Sequence, residues 1–220
     1  AGAEGQNAPL KLTENECSTI GTELVHALTR AIMGPAPEPA LWEVDANLRP
    51  EGKDGPLVRT VESYVQYYKR WAENWEFQAL LKARPIAGSA QLGARYARAI
   101  DPFVWESAAR ESFVESVQAM RARVTDNIPP HQVDRQIKLG PGGLRDIEFT
   151  VQLLQLVHGR TDPAVRTKST VDSLAALTAV SYISRTDAEA FSRDYKKLRV
   201  LEHRIQLQQL RRTHLMPEKD

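Results

Sequence analysis

The chain has 220 residues, enough for one large domain or two small ones with a buried core. Its 29 lysines and arginines nearly balance 28 aspartates and glutamates, and the net charge of +1 argues against a general role in binding nucleic acids or other polyanions. One cysteine excludes an intrachain disulfide, no apolar run approaches the length of a membrane span, and the first residues do not resemble a signal peptide. We therefore expect a soluble cytosolic protein.

The N-terminal part of the chain predicts a lead, a helix and a strand. Residues 1–12 are small and polar without periodicity, which indicates a disordered lead or part of a loop. Residues 16–33 carry apolar side chains at spacings of three and four, so they predict an amphipathic helix that Gly34 and Pro35 end. Residues 41–46 alternate in polarity and predict a strand, with Asp45 opposite the apolar face.

Residues 62–84 predict one long helix, because aromatic side chains recur at spacings of four, three and four: Tyr64, Tyr68, Trp71 and Trp75. Such a stripe can stack on bases, but regular helical spacing is more typical of a core face. Glu76 lies on the other side, where it could face a cleft. Lys82 and Arg84 lie near the C-terminal end, where cations either relieve the helix dipole or bind phosphate.

Helices dominate the remainder of the chain. They are predicted over residues 92–100 up to an interruption at Pro102, from Phe113 to about Asn127, over 147–158, over 170–180, and through Phe191, Tyr195, Leu198 and Ile205. The helix at 147–158 is apolar nearly all round, which predicts a position at the centre of a bundle. We place a domain boundary near residue 95, with an up-and-down helical bundle beyond it.

The segment 138–149 contains Gly140, Gly142 and Gly143 ahead of a helix. Two interpretations stay open. The glycines and the helix N-terminus could form a phosphate-binding nest, or they could make a tight turn in which Asp146 and Glu148 favour the first helical turn. The pattern matches neither the dinucleotide fingerprint nor the P-loop.

Two histidines have no partner at metal-ligand spacing. We expect His158 to lie at the C-terminal end of its helix and His203 to lie on a polar helix face. Asp172 and Glu202 are likewise expected on a solvated helix surface.

Three segments, at residues 40–58, 75–88 and 137–149, occur in an order that resembles the glutamine synthetase adenylyltransferase family. The resemblance runs from about residue 18 to the C-terminus. It implies a bifunctional enzyme with two nucleotidyltransferase-like halves: one attaches AMP from ATP to a tyrosine of glutamine synthetase, and the other removes it by phosphorolysis. Residues 138–159 resemble the N-terminal, AMP-removing half.

The resemblance also implies that each half binds Mg²⁺ with three carboxylates, of which Asp45 corresponds to the third. No Asp-x-Asp pair precedes Asp45 in the chain, so we expect a fragment that is inactive alone. Residues 1–95 would then be the last part of an incomplete nucleotidyltransferase-like α/β domain, followed by the helical bundle at 96–220, in a mainly α fold.

Several basic residues are candidates for phosphate or nucleotide binding. Arg49 and Arg59 could bind phosphate oxygens through their planar guanidinium groups, although surface ion pairs explain them equally well. Lys138 and Arg145 join Lys82 and Arg84 as further candidates, and the resemblance places Lys138, Arg145 and Glu148 at the edge of the active site.

The implied partners are glutamine synthetase, ATP or phosphate, and a PII-type signalling protein, in the bacterial cytoplasm. An alternative hypothesis is a non-catalytic helical module that docks glutamine synthetase or a nitrogen-signalling regulator. A nucleic-acid binder is disfavoured, because the basic residues are interspersed with acids.

Overall fold

The computed structural model describes residues 12–35, 40, 42–210 and 212–218. Within these residues the chain is mainly α-helical, and the only β structure is one isolated bridge, which confirms the predicted mainly α fold class. None of the described helices combines the length and hydropathy that crossing a membrane requires. The chain divides into two compact units, residues 1–64 and 65–220. The domain boundary near residue 95 stays a prediction.

In the first unit, helix α1 spans Glu14–Met33 and confirms the predicted N-terminal helix. Thr13 begins it with a capping box: the Thr13 hydroxyl accepts from the Glu16 amide, and the Thr13 amide donates to Glu16 Oε2 at 2.8 Å. The helix ends where the Gly34 amide donates to Arg30 O at 2.7 Å. Apart from Leu12, the lead at residues 1–12 lies outside the described residues.

The strand predicted over residues 41–46 is wrong for residues 42–46, while Leu41 lies outside the described residues. These residues form no ladder of backbone hydrogen bonds, and the Asn47 amide donates to Asp45 Oδ1 at 2.9 Å, which starts a turn instead. A strand needs a neighbouring strand for its backbone hydrogen bonds, and no such strand occurs among the described residues. Alternating polarity in the sequence is therefore not enough to form a strand without a neighbouring strand.

The single helix predicted over residues 62–84 is also wrong, because two helices occupy this stretch. Helix α2 spans Val61–Arg70 and helix α3 spans Asn74–Leu80. The break between them turns Trp71 outward, where it is 72% exposed, while Tyr68 is buried against Phe77 with ring centroids 6.0 Å apart. The aromatic stripe is therefore not one packing face.

Among its described residues, the second unit continues with five α-helices: α4 Ala90–Glu106, α5 Phe113–Asp126, α6 Leu144–His158, α7 Thr170–Ala179 and α8 Arg185–Gln209. These agree with the predicted helices except at Pro102, which α4 accommodates. Proline costs one backbone hydrogen bond, and the burial of Ile100 and Val104 on either side offsets that loss. The up-and-down order of the bundle stays a prediction.

Helix α6 lies at the centre of the second unit, as its sequence predicts. It packs against α3, α4, α5, α7 and α8. Leu144, Val151 and Leu156 are fully buried, and each contributes about 1.5–3 kcal/mol through burial. Ile147 and Val151 also join Val165, Leu174, Leu177 and Ala188 in a core cluster with α7 and α8. The start of α6 is thereby held in a fixed position.

Candidate functional site

In the first unit, Arg49 closes the turn that follows Asp45. Its guanidinium donates to three backbone carbonyls: Ala46 at 2.9 Å, Lys53 at 3.1 Å and Gly55 at 3.0 Å. These bonds use both terminal nitrogens, so Arg49 has a clear structural role here. Phosphate binding by Arg49 stays a prediction, and it would compete with these carbonyls.

Arg59 is also engaged inside the first unit. It forms an ion pair with Glu51 and donates to Ser63 Oγ at 3.2 Å. Burial raises the pKa of the neighbouring Tyr64, while the charges of Arg59 and Arg49 act against that rise. The two predicted phosphate-binding arginines therefore lie near one tyrosine, and Glu51 balances the charge of Arg59.

Asp45 is exposed, and its carboxylate accepts from the Asn47 amide. Magnesium requires several oxygen ligands in near-octahedral geometry. The described part of the chain contains no group of three or more histidine, cysteine, aspartate or glutamate side chains that could hold a metal ion. The described residues therefore do not fit a magnesium site by themselves, and the role of Asp45 as a metal ligand stays a prediction.

In the second unit, polar side chains connect α3 to α6. Gln78 Nε2 donates to Gln152 Oε1 at 2.9 Å, and both side chains are buried. Lys82 follows Gln78 by four residues, and Glu148 precedes Gln152 by four residues on α6. The charges of Lys82 and Glu148 interact with each other. Helix α3 and the turn that follows it thus run antiparallel to α6 at this contact.

Lys82 is half-buried, and burial lowers its pKa, with the Glu148 carboxylate opposing the shift and Lys168 adding to it. Its ammonium group donates to Lys168 O at 2.6 Å and to Thr170 Oγ1 at 3.2 Å. Lys168 in turn donates to Ala83 O. These contacts fix the end of α3 against the start of α7, while Arg84 next to them is exposed.

Glu148 links α6 to α8. Its carboxylate accepts from the Tyr195 hydroxyl at 3.3 Å and lies 3.6 Å from the Arg145 guanidinium, which sits over the Phe149 ring at 5.6 Å. Burial raises the pKa of Tyr195. Lys82, Arg145, Glu148, Thr170 and Tyr195 therefore form one connected group, which we call the α6 network.

Glu202 lies in the core, so the predicted solvated position is wrong. It is 1% exposed and lies 3.3 Å from Lys138 Nζ and 2.9 Å from His214 Nδ1, with an ion pair to Arg199. The charged residues that flank Glu202 in the sequence led to the wrong prediction of a solvated position. The helical spacing of Tyr195, Leu198, Glu202 and Ile205 would have placed it on the packed face.

The glycine-rich segment makes a tight turn. The first amides of α6 donate to loop carbonyls: Leu144 to Ile137 at 3.0 Å, Arg145 to Lys138 at 2.9 Å and Asp146 to Gly143 at 3.1 Å. Asp146 Oδ2 accepts from the amide of Gly142, which has a φ of 70°. Because these amides are already satisfied, the turn interpretation is favoured over a phosphate nest.

Glu76 and three other singled-out residues have ordinary surroundings. Glu76 is buried, and its Oε1 accepts from the Glu73 amide at 2.9 Å and the Tyr67 hydroxyl at 3.0 Å, which caps α3. A role in a cleft stays a prediction. His158 ends α6 and stacks on Tyr182 with centroids 3.7 Å apart. His203 and Asp172 are exposed, as predicted.

Two protein-family models match the chain, one on each side of its middle. The model of glutamate-ammonia ligase adenylyltransferase matches residues 7–99, and that of GlnD PII-uridylyltransferase matches residues 118–220. Both families transfer nucleotidyl groups, as their descriptions state. Each part of the chain is therefore similar to part of an enzyme family that transfers nucleotidyl groups.

Three curated relatives of the chain carry the same enzyme name. The chain is 65% identical over 198 residues to the bifunctional glutamine synthetase adenylyltransferase/adenylyl-removing enzyme of Leifsonia xyli, covering 90% of this chain and 20% of that enzyme. Enzymes of the same name from Streptomyces coelicolor and Mycobacterium tuberculosis are 57% and 59% identical, covering 93% and 81% of this chain and 20% and 18% of each enzyme.

The chain belongs to the glutamine synthetase adenylyltransferase family, and the resemblance inferred from its motifs is confirmed. It spans about one fifth of the length of the curated relatives that it matches, in agreement with the expected fragment.

Proposed function

We propose that the chain is part of a bifunctional enzyme that attaches AMP to glutamine synthetase and removes it, and that it serves the AMP-removing half. The names of its relatives describe both activities and the target protein, and 65% identity over nine-tenths of the chain supports the extension. In this proposal the parent enzyme works in the bacterial cytoplasm, uses ATP for attachment and phosphate for removal, and responds to a PII-type protein.

One observation supports the chemical part of the proposal most directly: cations outnumber acids around the start of α6. The acids there are Asp146, Glu148 and Glu202, and the cations that contact or face them are Lys82, Arg121, Lys138, Arg145 and Arg199. Transfer of a phosphoryl or nucleotidyl group depends mainly on positioning and on stabilising negative charge. A surplus of fixed cations suits that task.

The residues of this region would have different roles. The side chains of Arg145 and Arg199 remain 34% and 37% exposed, so they can reach phosphate oxygens. Glu148 orients Arg145, and Tyr195 holds Glu148 in turn. During phosphorolysis an oxygen of inorganic phosphate bonds to the adenylyl phosphorus, the bond from phosphorus to the tyrosyl oxygen breaks, and that oxygen takes up a proton. The arginines would stabilise the charge on the transferred group.

Magnesium enters the proposal through Asp45. A single exposed carboxylate holds Mg²⁺ weakly, so the remaining ligands would come from the part of the relatives that this chain does not span. When bound, the metal would neutralise charge on the reacting phosphate groups. We therefore expect the 220-residue chain alone to be inactive.

Intact mass spectrometry of adenylylated glutamine synthetase tests the proposal. The substrate is incubated with phosphate and Mg²⁺, together with either the 220-residue chain or the full-length protein. We expect loss of AMP with the full-length protein only. Loss with the short chain would refute the need for further carboxylates, and loss with neither would refute the AMP-removing assignment.

A docking module is the second candidate, because large apolar side chains are exposed on α8 and at the residue that follows it. Val200, Leu207 and Leu210 are 49%, 72% and 75% exposed. Val200 and Leu207 lie seven residues apart and hence on one face of α8, and exposed apolar side chains that form a contiguous patch often mark protein interfaces. If docking is the function, the 220-residue chain binds purified glutamine synthetase in calorimetry, and Leu207→Asp weakens binding without lowering the free energy of unfolding.

A further inference from the structure

A short segment after α8, residues 213–216, pairs with the residues that lead into the glycine-rich turn. Gln136 and Leu215 form an antiparallel bridge. Backbone and side-chain bonds flank it on both sides: Ile137 N to His214 O at 3.1 Å, Met216 N to Arg135 O at 2.8 Å, and Arg135 Nε to Met216 O at 2.8 Å. We call residues 213–216 the return segment.

The bonds of the return segment continue directly into α6. The Ile137 amide donates to His214 O, and the Ile137 carbonyl accepts from the Leu144 amide at 3.0 Å. The next carbonyl, that of Lys138, accepts from the Arg145 amide at 2.9 Å. One residue, Ile137, thus joins the return segment to the first turn of α6.

The buried Glu202 side chain contacts both the return segment and the residues that lead into α6. Its Oε1 lies 3.3 Å from Lys138 Nζ and 2.9 Å from His214 Nδ1, while Arg199 pairs with Oε2. The Glu202 side chain is only 2% exposed. A buried carboxylate needs these partners, because the charge would otherwise lie in a region of low polarity. Separating the return segment from Lys138 is therefore costly.

We propose that the return segment positions the start of α6, and through it the side chains of Arg145 and Glu148. The consequence for AMP removal depends on the proposed function, whereas the coupling itself depends only on these contacts. The return segment lies about 70 residues away from Arg145 along the chain, so a change in one can reach the other only through the folded structure.

Met216→Pro is the direct test, because it deletes the amide that donates to Arg135 O and leaves α6 untouched. The conservative control Met216→Leu keeps that amide. Amide hydrogen exchange is measured by NMR on the 220-residue chain. We expect Met216→Pro to accelerate exchange at Ile137, Leu144 and Arg145 by about fivefold to tenfold, the effect of one lost hydrogen bond, while Met216→Leu does not.

A second variant keeps the test decisive if Met216→Pro unfolds the chain. His214→Ala removes the imidazole beside Glu202 and keeps the backbone, and it should also accelerate exchange at Leu144 and Arg145. In either variant, the Val151 and Leu174 amides of the core should keep their protection. Faster exchange confined to residues 213–216, or equal acceleration throughout the unit, would overturn the proposal.

The outcome for AMP removal is separable from the outcome for exchange. If Met216→Pro alters exchange at Arg145 and slows AMP removal by the full-length protein, both inferences hold. If exchange changes and the removal rate does not, the return segment does not position the site. If the unaltered full-length protein removes no AMP, the proposed function fails while the exchange result stands.

Discussion

Replacing Glu202 with glutamine removes one negative charge from the core and leaves the side-chain volume almost unchanged. The carboxylate lies 3.3 Å from Lys138 Nζ and pairs with Arg199, and its own side chain is 2% exposed. In the variant, Lys138 keeps a charge in a position where only 18% of its side chain reaches solvent. The folded state should therefore lose free energy relative to the unfolded chain, in which all these charges are hydrated.

The size of the loss follows from burial. Deleting one partner of a fully buried ion pair costs about 3–5 kcal/mol. Arg199 is 37% exposed and can regain water by a change of rotamer, so its share of that cost is reduced. We expect a decrease of about 2–3 kcal/mol in the free energy of unfolding.

Urea denaturation followed by circular dichroism measures this decrease. With a slope of about 2 kcal/mol per molar urea, the midpoint should fall by about 1–1.5 M. Glu189→Gln on the exposed side of α8 is the matched control, and it should change the free energy by less than about 0.5 kcal/mol. Equal midpoints for the two variants would refute the argument that Glu202 is a buried, multiply paired carboxylate.

Two further effects concern the glycine-rich turn and pH. Gly142→Ala should lower the free energy of unfolding by about 1 kcal/mol, because alanine disfavours a φ of 70°. The added Cβ would meet no atom within 4 Å, so no steric cost is added. Gly143→Ala should cost more, since its Cβ would lie 2.7 Å from a backbone carbonyl; urea midpoints compare the two. Burial lowers the pKa of His214, and the charges of Lys138 and Arg212 lower it further, while Glu202 opposes them. The imidazole of His214 therefore binds a proton more tightly in the unfolded chain than in the folded one. Stability should therefore fall as the pH decreases below about 6.5, and His214→Gln should reduce that fall.

Helices with a sustained 3.6-residue pattern could be predicted from the sequence. Helix α1, Glu14–Met33, and helix α6, Leu144–His158, carry apolar side chains at helical spacing together with a capping residue or a glycine at an end. The predicted helix over residues 62–84 failed because Glu73 and Glu76 form a capping box that starts a new helix inside an otherwise continuous pattern. The competing local bonds decided the structure there.

The candidate site was predictable only in part. Lys82, Arg145 and Glu148 were singled out by type and motif, and the structure connects them through the antiparallel contact of α3 with α6. Tyr195 and Thr170 were missed as members because their contribution depends on how α7 and α8 pack, which spacing within one helix does not reveal. Glu202 was misplaced because flanking His203 and Arg204 made its surroundings look polar.

The central claim, that this chain serves the AMP-removing half of its enzyme, is tested most directly by Asp45→Asn in the full-length protein. Asp54→Asn is the control, because both aspartates are exposed in the same unit. Mass spectrometry of glutamine synthetase follows phosphate-dependent loss of AMP and, separately, ATP-dependent gain. We expect Asp45→Asn to slow the loss by about a hundredfold or more and to spare the gain, with no effect from Asp54→Asn. A normal rate of AMP loss in Asp45→Asn, or an equal loss of both activities, would contradict the assignment.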